Sequence, residues 1–242
     1  MIKNIIIIMI CFNFSFAISV KDGLNALNQK NYSKAFEIFS KSCKLKNPNG
    51  CYNLAVMYDL KEGIKKDSKK AAKLYKMSCE NGIGNGCYNL GVMYDKGKDI
   101  EQSYNNAAYY YGKACENGNI NGCYNLGAMY DKGDGVKQDQ EKAAALYKKT
   151  CEENISVGCY NLGVKYSNGK GVEKDYKKAL YYYNKACQKG NYHACYNIGI
   201  AYVNAEGIKQ DYHKAKLFFE KACNLNYDRA CRNSKILESN GY

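Results

Sequence analysis

From Tyr32 to Lys44, apolar residues fall at Ala35, Phe36, Phe39 and Cys43, with lysines and serines between them. That spacing is one face of an amphipathic helix. Ahead of it, Ser19 to Lys30 places Leu24 and Leu27 on one face and predicts a first helix, with Asn31 ending it and capping the next. The pattern then returns at a fixed step. Ala35, Ala71, Ala107, Ala143, Ala179 and Ala215 are alanine, and Phe39, Tyr75, Tyr111, Tyr147, Tyr183 and Phe219 are aromatic, 36 residues apart without insertion or deletion. A small residue at the first set lets two helices approach closely. Self-similarity at such a period predicts stacked supersecondary units, each unable to bury its apolar face alone.

Polar positions punctuate the same register. Asn31, Asp67, Ser103, Asp139, Asp175 and Asp211 are N-cap residues, whose side-chain oxygens accept from backbone N–H groups of the next turn. Gly82, Gly118, Asn154, Gly190 and Asn226 are residue types that tolerate a left-handed position after a helix. Each unit therefore reads as helix A (Cys51 to Leu60 in the first full copy), a loop, helix B (Asp67 to Glu80) and a tight turn. No strand-like alternation occurs, so the expected fold is all-α: a solenoid of about six helix pairs including the caps. Residues 97–100, 133–136 and 169–172 are glycine-rich, and glycine in a short helix–helix connection answers a turn requirement more often than it cradles phosphate. The register drifts at Asp99, Ser103 and Ala205-Glu206, where differently shaped loops are expected. The last element, Ala230 to Ser239, keeps Cys231 and Asn233 but substitutes Arg232, Ser234, Lys235 and Glu238 for apolar residues. A polar outer face is what a terminal cap needs.

The first 17 residues break this pattern. Lys3 precedes an apolar run from Ile5 to Phe16, too short to span a bilayer, and Ser15-Phe16-Ala17 offers a cleavage site after Ala17. Residues 1–17 are expected to be a signal peptide and residues 18–242 the mature repeat domain. Removing Lys3 and Cys11 takes the formal charge from +13 to +12 and the cysteines from 13 to 12. An even cysteine count in an exported chain points to disulfides and to a secreted or periplasmic location. No transmembrane segment is expected in the mature chain.

The twelve cysteines form six pairs eight residues apart: Cys43 and Cys51, Cys79 and Cys87, Cys115 and Cys123, Cys151 and Cys159, Cys187 and Cys195, Cys223 and Cys231. Each pair brackets the turn from a helix B to the next helix A, which can bring the two within bridging distance. Gly50, Gly86, Gly122, Gly158, Ala194 and Ala230 leave room beside the second cysteine. Zinc sites prefer closer spacing and clusters of four, and the histidines are only His193 and His213. Neither metal nor cofactor is expected. Spacing alone leaves pairing across one helix hairpin, such as Cys87 with Cys115, open.

The recurring phrase is Tyr-Asn-Leu-Gly, then Tyr, Gly-x-Gly-Val, Asp, Lys-Ala and Tyr-x-Lys-Ala-Cys. Over roughly residues 20–239 it resembles the Sel1-like repeat. With a cysteine pair per unit it is similar to the cysteine-rich repeat proteins of Helicobacter and Campylobacter. The resemblance implies a right-handed α-solenoid related to tetratricopeptide repeats, the eight-apart disulfide pairing, and β-lactam binding or hydrolysis. The residues do not display that chemistry. One Ser-x-x-Lys occurs in the mature chain, Ser167 to Lys170, in a glycine loop, and Lys149-Thr150 is followed by Cys151 rather than glycine. Catalytic residues stay unassigned.

The related tetratricopeptide repeat implies that the asparagine of the phrase faces a groove lined by the A helices. Carried over, the ligand-binding ladder is Asn53, Asn89, Asn125, Asn161 and Asn197, flanked by Tyr88, Tyr124 and Tyr160, with Tyr52 and Tyr196 at its ends and Asp59, Asp95 and Asp131 further along. Asparagine can grip an extended backbone and tyrosine adds flat contact area. The competing reading gives these asparagines a backbone-bonding job in the stack. The leading expectation is a monomeric binding solenoid for an extracellular or envelope protein segment, or for a cell-wall-derived ligand. The alternatives are a weak β-lactamase or penicillin-binding hydrolase, and an envelope-complex scaffold. The positive charge favours contact with anionic envelope surfaces, and nucleic acid is not an expected partner.

Overall fold

The computed structural model describes residues 19–97 and 99–242. The proposed signal peptide at 1–17, with Cys11, lies outside them. The described residues form thirteen helices and no strand. They are α1 (Val20–Asn28), α2 (Tyr32–Lys44), α3 (Pro48–Leu60), α4 (Ser68–Glu80), α5 (Gly84–Lys96), α6 (Tyr104–Glu116) and α7 (Ile120–Lys132), followed by α8 (Gln140–Glu152), α9 (Ser156–Asn168), α10 (Tyr176–Gln188), α11 (Tyr192–Asn204), α12 (Tyr212–Cys223) and α13 (Asp228–Ser239). Two compact units divide within α4, one up to Leu74 and one from Tyr75 onward. In the first, α1 packs on α2 and α2 on α3; in the second, each helix from α5 to α13 packs on the next. This is the solenoid that the 36-residue step predicts. Among the described residues no helix is long and apolar enough to cross a membrane.

The punctuation works as read. The side chains of Asn31, Asp67, Ser103, Asp139, Asp175 and Asp211 each accept from the backbone N–H three residues on. Gly82, Gly118, Asn154, Gly190 and Asn226 all have positive φ. The A helices begin earlier than the cysteine that opens the phrase. In α3, Asn47 caps the helix and Pro48 occupies its first turn, where a missing N–H costs nothing.

The expectation of altered loops is corrected at both drifting sites. Asp99 adopts φ 67, the value of its register partners Gly135 and Gly63. Ala205 adopts φ 60, close to Gly169 at 67, and Glu206 N–H reaches Ala201 O at 3.0 Å, as Lys170 N–H reaches Lys165 O at 3.1 Å. The stacked neighbours hold the loop in shape and the non-glycine residues bear the strain.

The core follows the register. Alanines 35, 71, 107, 143, 179 and 215 are buried, as are Phe39, Tyr75, Tyr111, Tyr147, Tyr183 and Phe219. The glycine of the phrase has a steric purpose: a Cβ on Gly163 would lie 2.6 Å from the Tyr183 ring, so the aromatic of helix B rests directly on the backbone of helix A.

All six cysteine pairs are bridged eight apart, with Cα–Cα distances from 4.4 to 4.8 Å. Cys87 pairs with Cys79 and Cys115 with Cys123, which closes the alternative across the hairpin. The small residue before each second cysteine is needed: Gly158 sits against Thr150, where a Cβ would approach the side chain to 2.6 Å.

Candidate functional site

The asparagine–tyrosine ladder lies on the A helices. Asn53, Asn89, Asn125, Asn161 and Asn197, and Tyr88, Tyr124 and Tyr160, are all half-buried. Each tyrosine leans on the buried aromatic of its own repeat: Tyr88 on Tyr111 with ring centres 5.9 Å apart, Tyr124 on Tyr147 at 6.0 Å, Tyr160 on Tyr183 at 6.0 Å, and Tyr196 on Phe219 at 5.3 Å. The pairs are tilted by 35–43°, so each ring packs against the core aromatic at an angle.

The asparagines divide in their partners. Asn53 donates to the Asn49 carbonyl within its own helix at 2.8 Å. The Asn125 side chain acts to lower the Tyr111 hydroxyl, and that of Asn197 to lower the Tyr160 and Tyr183 hydroxyls, each against the larger upward push of burial. Asn125 and Asn197 thus lie within electrostatic reach of the tyrosine of the preceding helix B. The tyrosine hydroxyl in turn donates: Tyr111 to Asp95 at 3.3 Å, Tyr147 to Asp131 at 3.4 Å and Tyr183 to Ser167 at 3.3 Å. Burial foremost, then the neighbouring Asp95 and Asp131 carboxylates, pushes the Tyr111 and Tyr147 hydroxyls well above the ordinary tyrosine range. Burial likewise raises Tyr160 and Tyr183.

One functional-looking group escaped the sequence reading. Lys165 in α9 is only 3% exposed. Its Nζ lies 2.5 Å from Asp131 Oδ1 and 2.6 Å from Gln140 Oε1. The signal was available in the register, where Met57, Met93 and Met129 precede Lys165 and Ala201 follows it.

The Ser-x-x-Lys segment is not arranged as a nucleophile. Ser167 Oγ donates to the Val164 carbonyl at 3.2 Å while accepting from Tyr183, and Lys170 is exposed. Thr150 is buried and donates to the Leu146 carbonyl. His193 packs among Tyr160, Tyr192 and Tyr227 with ring centres 4.2–5.6 Å away. Among the described residues, no group of three or more His, Cys, Asp or Glu is placed to hold a metal ion.

On helix B several lysines serve locally. Lys70, Lys142, Lys178 and Lys214 each pair with the N-cap aspartate three residues earlier and sit over Tyr58, Tyr130, Tyr166 and Tyr202 respectively, 5.2–5.8 Å from the ring centre. The backbone N–H groups of the first turn hold Asp67, Asp139, Asp175 and Asp211 below the usual carboxylate range.

The same repeat occurs in known proteins. The Sel1 repeat matches residues 22–47, 48–83, 84–119, 120–155, 156–191 and 193–227. A protective antigen of uropathogenic Escherichia coli is similar in structure, with a TM-score of 0.87 at 26% identity over 92% of this chain and 49% of that one. This chain thus spans about half the length of that protein. A Sel1 repeat protein from Oxalobacter formigenes aligns with a TM-score of 0.81 at 25% identity over 85% of each chain. Cysteine-rich protein B of Helicobacter pylori is 38% identical over 52% of this chain and 91% of its own, with a TM-score of 0.42. No curated protein matches the chain in sequence. With six matched segments spanning nearly all the helices, the chain belongs to the Sel1 repeat family.

Proposed function

We propose that this protein is a secreted or periplasmic interaction scaffold that binds a polypeptide segment along its A helices. A disulfide-rich Sel1 repeat solenoid fits a protein-interaction scaffold, and six disulfides suit an oxidising, extracytoplasmic compartment. The observation that carries the reading is the repeating pair of half-buried tyrosine and asparagine on successive A helices. Each asparagine side chain has two donor hydrogens and two acceptor lone pairs, so Asn125 and Asn197 keep capacity for a ligand beyond their neighbouring tyrosine hydroxyls. The centre of the strip is Asn89, Asn125 and Asn161 with Tyr88, Tyr124 and Tyr160, and Asn197 extends it, while Asn53 holds the matching position in the first unit.

The test pairs affinity with stability. A partner captured from envelope extract is titrated against the wild type and against Asn89→Ala/Asn125→Ala, and both proteins are melted. Weakened binding with a nearly unchanged melting temperature supports the strip. Full affinity with a lowered melting temperature assigns these asparagines to the stack and overturns it. Turnover of a chromogenic β-lactam by the purified protein would replace the scaffold reading with the hydrolase.

A further inference from the structure

In the repeat at residues 193–227, the space that Lys165 fills one repeat earlier is open. Shifting by 36 residues turns Asp131, Gln140 and Lys165 into Ser167, Tyr176 and Ala201. Those three line a cavity of about 170 Å³ at the loop end of α9, α10 and α11. In the earlier repeats Met93 and Met129 occupy the register position and are buried. Ala201 stops at its Cβ, so the space beyond it is unfilled. At ~30 Å³ per water-sized group, the cavity takes about five non-hydrogen atoms, as many as a lysine side chain carries.

The lining is graded like the surroundings of Lys165. Leu180, Ile200 and Ala201 wall the stem. The lining also includes Ser167, Tyr183 and Asn197, with the Tyr183 hydroxyl donating to Ser167 Oγ at 3.3 Å. Lys170, the register partner that would repel a cation, is replaced by Glu206, which lines the cavity and acts on the Tyr183 hydroxyl through its charge. Among the described residues, the Glu206 carboxylate accepts a long contact, 3.5 Å, from Asn204. Hydroxyl lone pairs and a carboxylate around an apolar stem suit an ammonium group on an alkyl chain.

We propose that this cavity is a specific site for an alkylammonium group, occupied by a lysine side chain of the bound polypeptide. The proposal rests on the scaffold reading and gives it an anchor beside Asn197. The repeat at residues 156–191 carries its own internal copy of that ligand in Lys165.

The test uses the oxidised full chain and n-butylammonium as the probe, with n-butanol as a neutral control of the same shape, followed by NMR titration. Saturable shifts of residues around Ala201 are expected, with n-butanol weaker by about tenfold or more, since a charge-assisted hydrogen bond contributes ~1.5–3 kcal/mol. Ala201→Met restores the register residue and should abolish the shifts while keeping or raising the melting temperature. Lys165→Ala should lower the melting temperature and create a second site, so that n-butylammonium raises it again. Equal binding of amine and alcohol, undiminished binding by Ala201→Met, or no saturation at all would each overturn the proposal. Those failures leave the Asn89/Asn125 measurement unaffected, so the anchor and the strip are judged separately.

Discussion

Lys165 shows how one residue can depart from a repeat without breaking it. An ammonium group with 3% exposure is tolerable because Asp131 and Gln140 meet it. A buried ion pair contributes little net stability against an apolar pair, whereas removing one partner strands the other. Lys165→Met, which copies the earlier repeats, is therefore expected to be neutral or stabilising. Asp131→Ala should cost about 2–3 kcal/mol, below the usual range for a fully buried pair because Asp131 is a third exposed. Urea unfolding of both variants checks the pair, and a Lys165→Met loss equal to that of Asp131→Ala would contradict it. The buried tyrosines add a pH dependence at the same scale. Their folded pKa values lie above the ordinary tyrosine value of about 10. The unfolded chain therefore deprotonates first, and the stability present below that value falls as pH rises past it. Melting from pH 8 to 11 should show the decline, and Tyr111→Phe/Tyr147→Phe should flatten it. Sequence reading places these tyrosines in the core, but their Asp95 and Asp131 partners emerge only from the fold, because residues 16 apart on two helices meet through packing.

At the scale of the element, the helix B caps, the left-handed glycine and asparagine positions and the alanine ladder are all legible in the sequence, since each is a local requirement that recurs at the 36-residue step. Legibility ends where a neighbour overrides local preference. Lys46, Lys61 and Ala205 take positive φ without being glycine or asparagine, because the tertiary stack fixes the turn and each residue bears the cost. The asparagine ladder shows the same limit. Its positions on helix A are readable, but the influence of Asn125 and Asn197 on tyrosine hydroxyls of the preceding repeat emerges only from stacking. Two substitutions test the element-level account. Asp139→Ala removes the cap on Lys142 N–H and its ion pair, for an expected loss of about 1 kcal/mol. Gly163→Ala drives a methyl into the Tyr183 ring and should cost about 1–3 kcal/mol through overpacking. A melting temperature for Gly163→Ala at or above wild type would show that α9 and α10 can separate without penalty.

Across the whole molecule, the disulfides compensate for what a 36-residue unit lacks. A unit of this size buries too little surface to fold alone, and a repeat array draws its stability from neighbouring interfaces. Each eight-apart bridge closes a short loop and contributes roughly 2–3 kcal/mol in the chain-entropy description. Each also joins the end of one repeat to the start of the next, so that it secures the interface on which both depend. Reduction of all six should therefore abolish the cooperative melt seen by circular dichroism, and an unchanged melting temperature would defeat this account. The position of a bridge should matter as well. Replacing Cys151 and Cys159 by alanine weakens an interior junction, with α7 and α8 on one side and α9 and α10 on the other. Replacing Cys223 and Cys231 weakens only the junction to the terminal helix α13. In a nearest-neighbour array the interior loss lowers the main transition, whereas the terminal loss frays α13 and leaves the main transition nearly in place. Hydrogen exchange resolves the two: the terminal variant should lose protection in α12 and α13 alone, and the interior variant on both sides of the cut. Equal loss of protection along the chain in both variants would mean that the solenoid unfolds as a single block.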